Sequence, residues 1–159
     1  DICKEVAAHY KLKVDEYFVD AMAALLVRKP NYFDVIVTTN MFGDIISDLA
    51  AELSGGLGLG PSINAGDDYA MAQSAHGSAP DIAGQNNANP TAMILSAGML
   101  LDTLGTRFNR PELLEAAKLL DEAIDAQLSE EGGCTPDLGG LLGTNAFGAG
   151  VAKRVKGGA

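Results

Sequence analysis

The sequence predicts an α/β fold with helices flanking a parallel or mixed sheet, and three observations support this prediction. Residues 14–20 are rich in β-forming side chains and bounded by charge, which indicates a strand, and residues 21–28 follow with helical spacing. Residues 34–39 form a continuous β-branched run, typical of a strand buried on both faces, and residues 42–53 again predict a helix. The alternation of strand and helix is itself typical of α/β proteins, whose functional residues follow the carboxyl ends of strands.

The rest of the sequence predicts one further strand and three helices. Residues 69–75 fit a buried strand. Helices are predicted over residues 91–104, 111–128 and 144–156, with Gly105 ending the first of them.

A glycine-rich stretch at residues 54–60 predicts the boundary between two lobes, over residues 1–54 and 55–159. The stretch contains Gly-x-Gly-x-Gly, but a helix precedes it and no helical pattern follows, so we reject a Rossmann dinucleotide motif. It predicts instead a flexible backbone, for example at Gly58, that can approach a ligand closely.

The composition excludes several classes of partner. Eleven Lys and Arg stand against 21 Asp and Glu, and the net charge of −10 argues against nucleic acid or an anionic membrane. The longest apolar run, residues 92–101, is shorter than the roughly 20 residues of a membrane span.

Cys3 and Cys134 stand alone, so we expect a cytoplasmic protein without disulfides. Because residues 1–10 already read as helix and the first is not Met, we expect the chain to be truncated at its start.

Two aspartates four residues apart, Asp44 and Asp48, share one face of a predicted helix. Like charges at this spacing destabilise a helix, so a bound cation is suggested, and Mg²⁺ and Mn²⁺ prefer oxygen ligands of this kind. The alternative is that Asp44 only caps the helix or offsets its dipole. Asp20, at the end of the first predicted strand, brings a third carboxylate to the same edge of the sheet, unless it too serves only as a helix cap.

The loop after the strand predicted at residues 69–75 has the side chains of a nucleotide site. Backbone N–H groups of Gly77, Ser78 and Ala79 can turn toward an anion, and Asp81 can accept hydrogen bonds from the two hydroxyl groups of a ribose. His76 alone is more readily explained as a structural histidine, and Asp137 as a turn residue.

Over nearly its whole length, the sequence resembles the isocitrate and isopropylmalate dehydrogenase family. The matching segments are Asp20, Asn40-Met41-Phe42-Gly43-Asp44 through Asp48, residues 76–84, Asn89-Pro90 and Asp137-Leu138-Gly139-Gly140. The resemblance implies the C-terminal half of an isopropylmalate-dehydrogenase-like fold. Residues 1–54 would belong to the small lobe, which dimerises and binds metal, and residues 55–159 to the large NAD-binding lobe.

The resemblance also implies an NAD-dependent β-decarboxylating dehydrogenase. Such enzymes oxidise the 2-hydroxyl of a 3-substituted malate to a ketone, pass hydride to NAD or NADP, and then lose the 3-carboxylate as CO₂. It implies a homodimer with shared active sites, in which Asp44 and Asp48 hold Mg²⁺ or Mn²⁺ with the substrate's oxygens and Asp20 joins from the other subunit. We therefore expect Asp20, Asp44 and Asp48 as metal ligands, and Asp20 and Asp44 as catalytic residues.

By the same resemblance, residues from three loops line the cofactor. They are Gly58, His76, Gly77, Ser78, Ala79, Ile82 and Asn89, with Asp81 on the ribose hydroxyls and Asp137 nearby. The carboxylates of Asp81 and Asp137 favour NAD because they oppose the 2′-phosphate of NADP. Gln73 departs from the family pattern, since relatives commonly have a carboxylate there.

The small-molecule substrate is expected to be 3-isopropylmalate, with isocitrate, homoisocitrate and tartrate as alternatives. The resemblance places the arginines that grip the substrate, and the catalytic Tyr and Lys, upstream of this sequence, so we expect this chain alone to be inactive. Two other interpretations stay open: a non-catalytic regulatory subunit of a hetero-oligomeric isocitrate dehydrogenase, and a metal-binding α/β module unrelated to dehydrogenases.

Overall fold

The computed structural model describes residues 2–157, and by internal contacts the chain divides into two units, Asp1–Leu53 and Ser54–Ala159. We refer to these as unit 1 and unit 2. The helices and strands of the described residues are α1 (Ile2–His9), α2 (Val19–Arg28), α3 (Asn40–Leu53), β1 (Pro61–Ala65), β2 (Ala70–Ser74), α4 (Thr91–Phe108), α5 (Pro111–Ser129) and α6 (Thr144–Gly157). Helices flanking a small sheet confirm the predicted α/β class.

Unit 1 is organised around the packing of α2 on α3. Met22 and Leu26, one turn apart on α2, and Ile46 on α3 form its buried cluster, because their i, i+4 spacing keeps one face of α2 apolar. A single 3₁₀ turn at Pro30–Tyr32 follows α2, since Pro30 cannot continue the helical hydrogen bonding.

The strands predicted at residues 14–20 and 34–39 are wrong for the described part of the chain. Residues 14–18 and 35–39 have no regular secondary structure, and α2 begins at Val19, so Asp20 lies in a helix. Residues 34–39 were expected to be buried on both faces, yet Val35 is 83% exposed and Val37 72%. The physical reason is that a strand exists only with a hydrogen-bonded neighbour, and within residues 2–157 neither segment has one.

Unit 2 contains the strand expected at residues 69–75, as β2, and a partner that the sequence pattern did not indicate, β1. The two strands are antiparallel, with Ile63 opposite Ala72. The buried Ser96 of α4 ties the helix to this pair, because its hydroxyl lies 2.7 Å from the Gln73 carbonyl oxygen and accepts the Ser62 N–H at 3.2 Å.

Gly105 does not end α4, contrary to the sequence-based expectation. The helix continues to Phe108 and ends at Asn109, which has the left-handed conformation (φ 52°). Gly105 is buried, and a Cβ there would lie 2.9 Å from the Leu114 Cγ. This glycine therefore lets α5 approach α4 closely instead of terminating it.

The main core of unit 2 lies between α5 and α6. Ala123 and Ile124 of α5 pack with Phe147 and Val151 of α6, and Phe147 is fully buried. Ile94 and Leu95 bring α4 into the same cluster. This core holds the first turns of α6 in place, and the loop before α4 is hydrogen-bonded to the start of that helix.

Candidate active site

Asp44 and Asp48 lie on α3 with exposed side chains. Because α3 begins at Asn40, two residues earlier than predicted, Asp44 is beyond the first turn, and this makes the capping explanation poor. Neither carboxylate accepts a hydrogen bond or forms an ion pair within the described residues. Two unpartnered carboxylates at i and i+4 repel each other and offer oxygen donors that suit a hard divalent cation.

Asp20 lies in the first turn of α2, where its Oδ1 accepts the backbone N–H of Ala21 at 2.8 Å. The residue before the helix is Phe18, so Asp20 is not the N-cap considered from the sequence. In the described part of the chain, no three His, Cys, Asp or Glu side chains come together as a metal site. The structure thus places Asp44 and Asp48 together on α3 and does not bring Asp20 to them within one chain, so the three-ligand site stays a prediction.

The loop between β2 and α4 has an unusual backbone. Ala79 adopts the left-handed conformation (φ 43°) immediately before the 3₁₀ turn Pro80–Ile82, which carries Asp81. The Gln85 Nε2 donates to the Asp81 carbonyl oxygen at 2.7 Å and so braces this turn. The Asp81 carboxylate itself is exposed and has no partner among residues 2–157.

The predicted cofactor residues on either side of Asp81 in the sequence lie beside this turn. Gly77 and Ser78 are exposed, and half-buried His76 has its Nδ1 2.8 Å from the Gly77 carbonyl oxygen. Ile82, at the end of the 3₁₀ turn, is half-buried. The loop therefore presents polar backbone and one free carboxylate on a braced turn.

Gly58, Asn89 and Asp137 come together in unit 2, although they are far apart in sequence. Asn89 is 8% exposed, and its Nδ2 donates to the Asp137 Oδ2 at 3.0 Å. Thr135 donates its hydroxyl to the Asp137 Oδ1 at 2.5 Å. A Cβ on Gly58 would lie 2.8 Å from the Asp137 Oδ2 and 3.1 Å from the Asn89 Cβ, so only glycine fits this cradle without a shift.

Sequence reasoning missed Asn86, which anchors the loop to α6. Asn86 has φ 54°, its Oδ1 accepts the Asn145 N–H at 2.8 Å, and its carbonyl oxygen accepts the Thr144 N–H at 3.0 Å. Thr144 also donates its hydroxyl to the Ala88 carbonyl oxygen. The available signal was the residue type, because Asn tolerates the left-handed conformation and caps helix N-termini.

The clearest electrostatic shifts lie outside these residues. The Tyr32 hydroxyl donates to the Asp15 Oδ2 at 2.9 Å, and this bond, with Lys13, holds the pKa of Asp15 below its usual range. On α5, burial and then the neighbouring Asp125 and Asp102 raise the pKa of Asp121.

Among residues 2–157, no helix is both long and apolar enough to cross a bilayer.

Comparison with known proteins gives a consistent result. The family model described as isocitrate/isopropylmalate dehydrogenase matches residues 1–151. The isocitrate/homoisocitrate dehydrogenase of Thermus thermophilus is 54% identical over 98% of this chain and 45% of its own length. The 3-isopropylmalate dehydrogenase of Archaeoglobus fulgidus is 51% identical over 96% of this chain and 44% of its own.

The solved structures agree. The crystal structure of isocitrate dehydrogenase from Methylococcus capsulatus superposes with a TM-score of 0.89 at 41% identity, over 98% of this chain and 44% of that one. The chain thus spans a little under half the length of the relatives it matches. On the evidence of sequence and fold together, this chain belongs to the isocitrate/isopropylmalate dehydrogenase family.

Proposed function

We propose that the full-length protein containing this chain is an NAD-dependent and divalent-metal-dependent enzyme that oxidatively decarboxylates a 3-substituted malate. Family membership supports the reaction class. The single observation that carries the proposal is the unpartnered carboxylate pair of Asp44 and Asp48 on α3. Structural aspartates on a helix surface are commonly paired or placed at its start, and these two are neither.

Asp44 and Asp48 would hold Mg²⁺ or Mn²⁺, and Asp20 would join them from a second subunit. A divalent cation there supplies positive charge beside the hydroxyl and carboxylate oxygens of the substrate. In this arrangement Asp44 and Asp48 would also orient the substrate through the metal ion. The free Oδ2 of Asp20 fits this role, since only its Oδ1 is engaged within the described residues.

The loop between β2 and α4 would bind the adenosine part of NAD. Asp81 accepts hydrogen bonds from the ribose hydroxyls, and its negative charge disfavours the 2′-phosphate of NADP. Gly77, Ser78, Ala79 and half-buried His76 and Ile82 shape the adjoining surface. The Gly58 cradle lets the backbone approach the nucleotide closely beside Asn89, while Asp137 holds the Asn89 amide in place.

The substrate is a 3-substituted malate, and 3-isopropylmalate is the first candidate, followed by isocitrate, homoisocitrate and tartrate. The side-chain selectivity would come from residues outside this chain. The protein would act as a homodimer in the cytoplasm, since within residues 2–157 Asp20 does not come together with two other His, Cys, Asp or Glu side chains as a metal site.

The test is the rate of NADH formation by the full-length protein, measured with each acid in the presence of Mn²⁺. We expect turnover of one acid, with D44N and D48N each lowering kcat on the order of a hundredfold. Asp125→Asn is the matched control, because Asp125 is an exposed helical aspartate outside the site. Absence of turnover on all four acids by protein that binds the metal would contradict the proposal and favour a regulatory subunit.

A further inference from the structure

Gln127 is a polar side chain buried in unit 2, outside the candidate site. It lies on the inner face of α5, one turn after Ala123 and Ile124 of the main core, and is 3% exposed. Burying an amide costs free energy unless its polar atoms find partners. A methionine or leucine would fill a similar volume without that cost, so the reason for an amide lies in what it contacts.

The Gln127 amide lies against glycines of two other segments. Its Nε2 donates to the Gly133 carbonyl oxygen at 2.9 Å. A Cβ at Gly133 would lie 3.2 Å from the same Nε2, and a Cβ at Gly150 of α6 would overlap the Gln127 Oε1. Because neither segment carries a side chain at these positions, both leave room for the amide, and its place is closely defined.

A glycine-rich loop, residues 132–140, carries Asp137 and is held near its start by this hydrogen bond. Four of its nine residues are glycine, so few side chains are available to hold the loop in place. The loop is also joined to α5 by the Cys134 thiol, 3.5 Å from the Leu128 carbonyl oxygen, but a thiol is a weak donor. The Gln127 amide is therefore the stronger of these two supports.

From Gly133 a series of contacts continues to the predicted cofactor residues. Thr135, two residues later and fully buried, donates its hydroxyl to the Asp137 Oδ1, and the Asp137 Oδ2 accepts the Asn89 Nδ2. The Asn89 Oδ1 in turn accepts the Thr91 N–H at 3.0 Å, at the start of α4. A shift of the Gly133 carbonyl would therefore reach the Asn89 side chain through Thr135 and Asp137.

We propose that Gln127 is a positioning residue for the bound nucleotide. By holding the Gly133 carbonyl, it sets the place of Asp137 and so the orientation of the Asn89 amide beside NAD. The role rests on the proposed NAD site, since Gln127 acts only through residues of that site. Its loss should weaken cofactor binding.

The test is titration calorimetry of NAD into the full-length protein, which measures the Kd separately from the fraction of protein that binds. Gln127→Met removes the amide donor and keeps an unbranched side chain that fills the same space. We expect the Kd for NAD to rise about three- to tenfold at unchanged stoichiometry. A purely structural role predicts the opposite result, a lower stoichiometry at an unchanged Kd.

Ile124→Val is the matched control, since Ile124 is 2% exposed on the same face of α5 and packs in the main core. The variant loses one buried methylene, so it destabilises this core but should leave the Kd for NAD unchanged.

A double-mutant cycle with Asp137→Ala tests whether Gln127 acts through Asp137. Asp137→Ala alone should weaken NAD binding. Adding Gln127→Met should then change the Kd by less than about twofold, because the series of contacts is already broken.

Thr135→Val is a second test that leaves the Gln127 bond intact, so it decides the question even if Gln127→Met does not fold. It removes the hydroxyl bonded to the Asp137 Oδ1 and should raise the Kd by a similar factor. The positioning role is overturned if Gln127→Met or Thr135→Val binds NAD like the wild type, if Ile124→Val weakens binding as much, or if Gln127→Met has its full effect without Asp137. Wild-type protein that binds no NAD would overturn the proposed function as well, so the two failures are distinguishable.

Discussion

Gly58→Ala tests whether the cradle of Gly58, Asn89 and Asp137 is as tight as the structure shows. The added Cβ would lie 2.8 Å from the Asp137 Oδ2, 3.1 Å from the Asn89 Cβ and 3.2 Å from the Asn89 Nδ2. Two neighbours must therefore move, and both belong to one hydrogen bond of 3.0 Å whose donor residue is buried. Overpacking of this kind costs about 1–3 kcal/mol. We expect a loss near the middle of that range, about 2 kcal/mol, with a fall in Tm of about 4–8 °C.

The assay is urea unfolding followed by circular dichroism, with the Tm as a second readout. Gly148→Ala is the matched control, because Gly148 lies in α6 and a Cβ there meets no atom within 4 Å. It should stabilise the protein by about 0.5–1 kcal/mol through helix propensity. A loss for Gly58→Ala below about 0.5 kcal/mol would refute the reasoning, since it would mean that the loop relaxes freely around the new methyl group.

Three further predictions concern the supports of the site and the core. Asn86→Ala should lower the free energy of unfolding, measured in urea, by about 1–2 kcal/mol. Asn86→Gly should lower it by clearly less, because Gly keeps the left-handed conformation and loses only the bond to Asn145; equal losses for the two variants would contradict the assigned role of Asn86. Asp121→Asn should raise the Tm at pH 7, because Asp121 has a raised pKa and its charged form opposes folding. The rise in Tm should vanish below pH 3.8, the ordinary pKa of an aspartate. A rise in Tm that is independent of pH would argue against the charge of Asp121 as its cause. Phe147→Ala should cost about 3–5 kcal/mol in urea unfolding, since Phe147 is fully buried in the unit 2 core, and a loss under about 1 kcal/mol would place the core elsewhere.

The helices could be predicted from the sequence because their signals are local. Apolar spacing and flanking prolines placed α2, α3, α5 and α6 to within two residues. The end of α4 was misjudged because Gly105 has a tertiary role, the close approach of Leu114, that no local pattern reveals.

The strands were harder because pairing is not local. Residues 34–39 have strand composition, but the described chain gives them no neighbour, whereas β1 has weak strand composition and pairs because β2 lies beside it. Sequence patterns record the tendency to be extended and not the presence of a partner.

In the candidate site, too, residue types could be predicted from the sequence and contacts between distant residues could not. The residue types of Asp44, Asp48 and Asp81 could be selected from the sequence because carboxylates that lack nearby cations stand out. The hydrogen bonds that support the site could not be predicted, because those of Asn86 to α6 and of Asn89 to Asp137 join residues more than 40 positions apart. Such contacts exist only once unit 2 has folded.

The dependence of NADH formation on Mn²⁺ concentration tests the central claim, that Asp44 and Asp48 hold the catalytic metal. The measurement compares full-length wild type with D44N, D48N and the control D125N, after removal of bound metal by a chelator. We expect the Mn²⁺ concentration at half-maximal rate to rise at least about tenfold in D44N and D48N and to stay unchanged in D125N. An unchanged Mn²⁺ dependence in D44N and D48N, or full turnover by the wild type without added metal, would contradict the account.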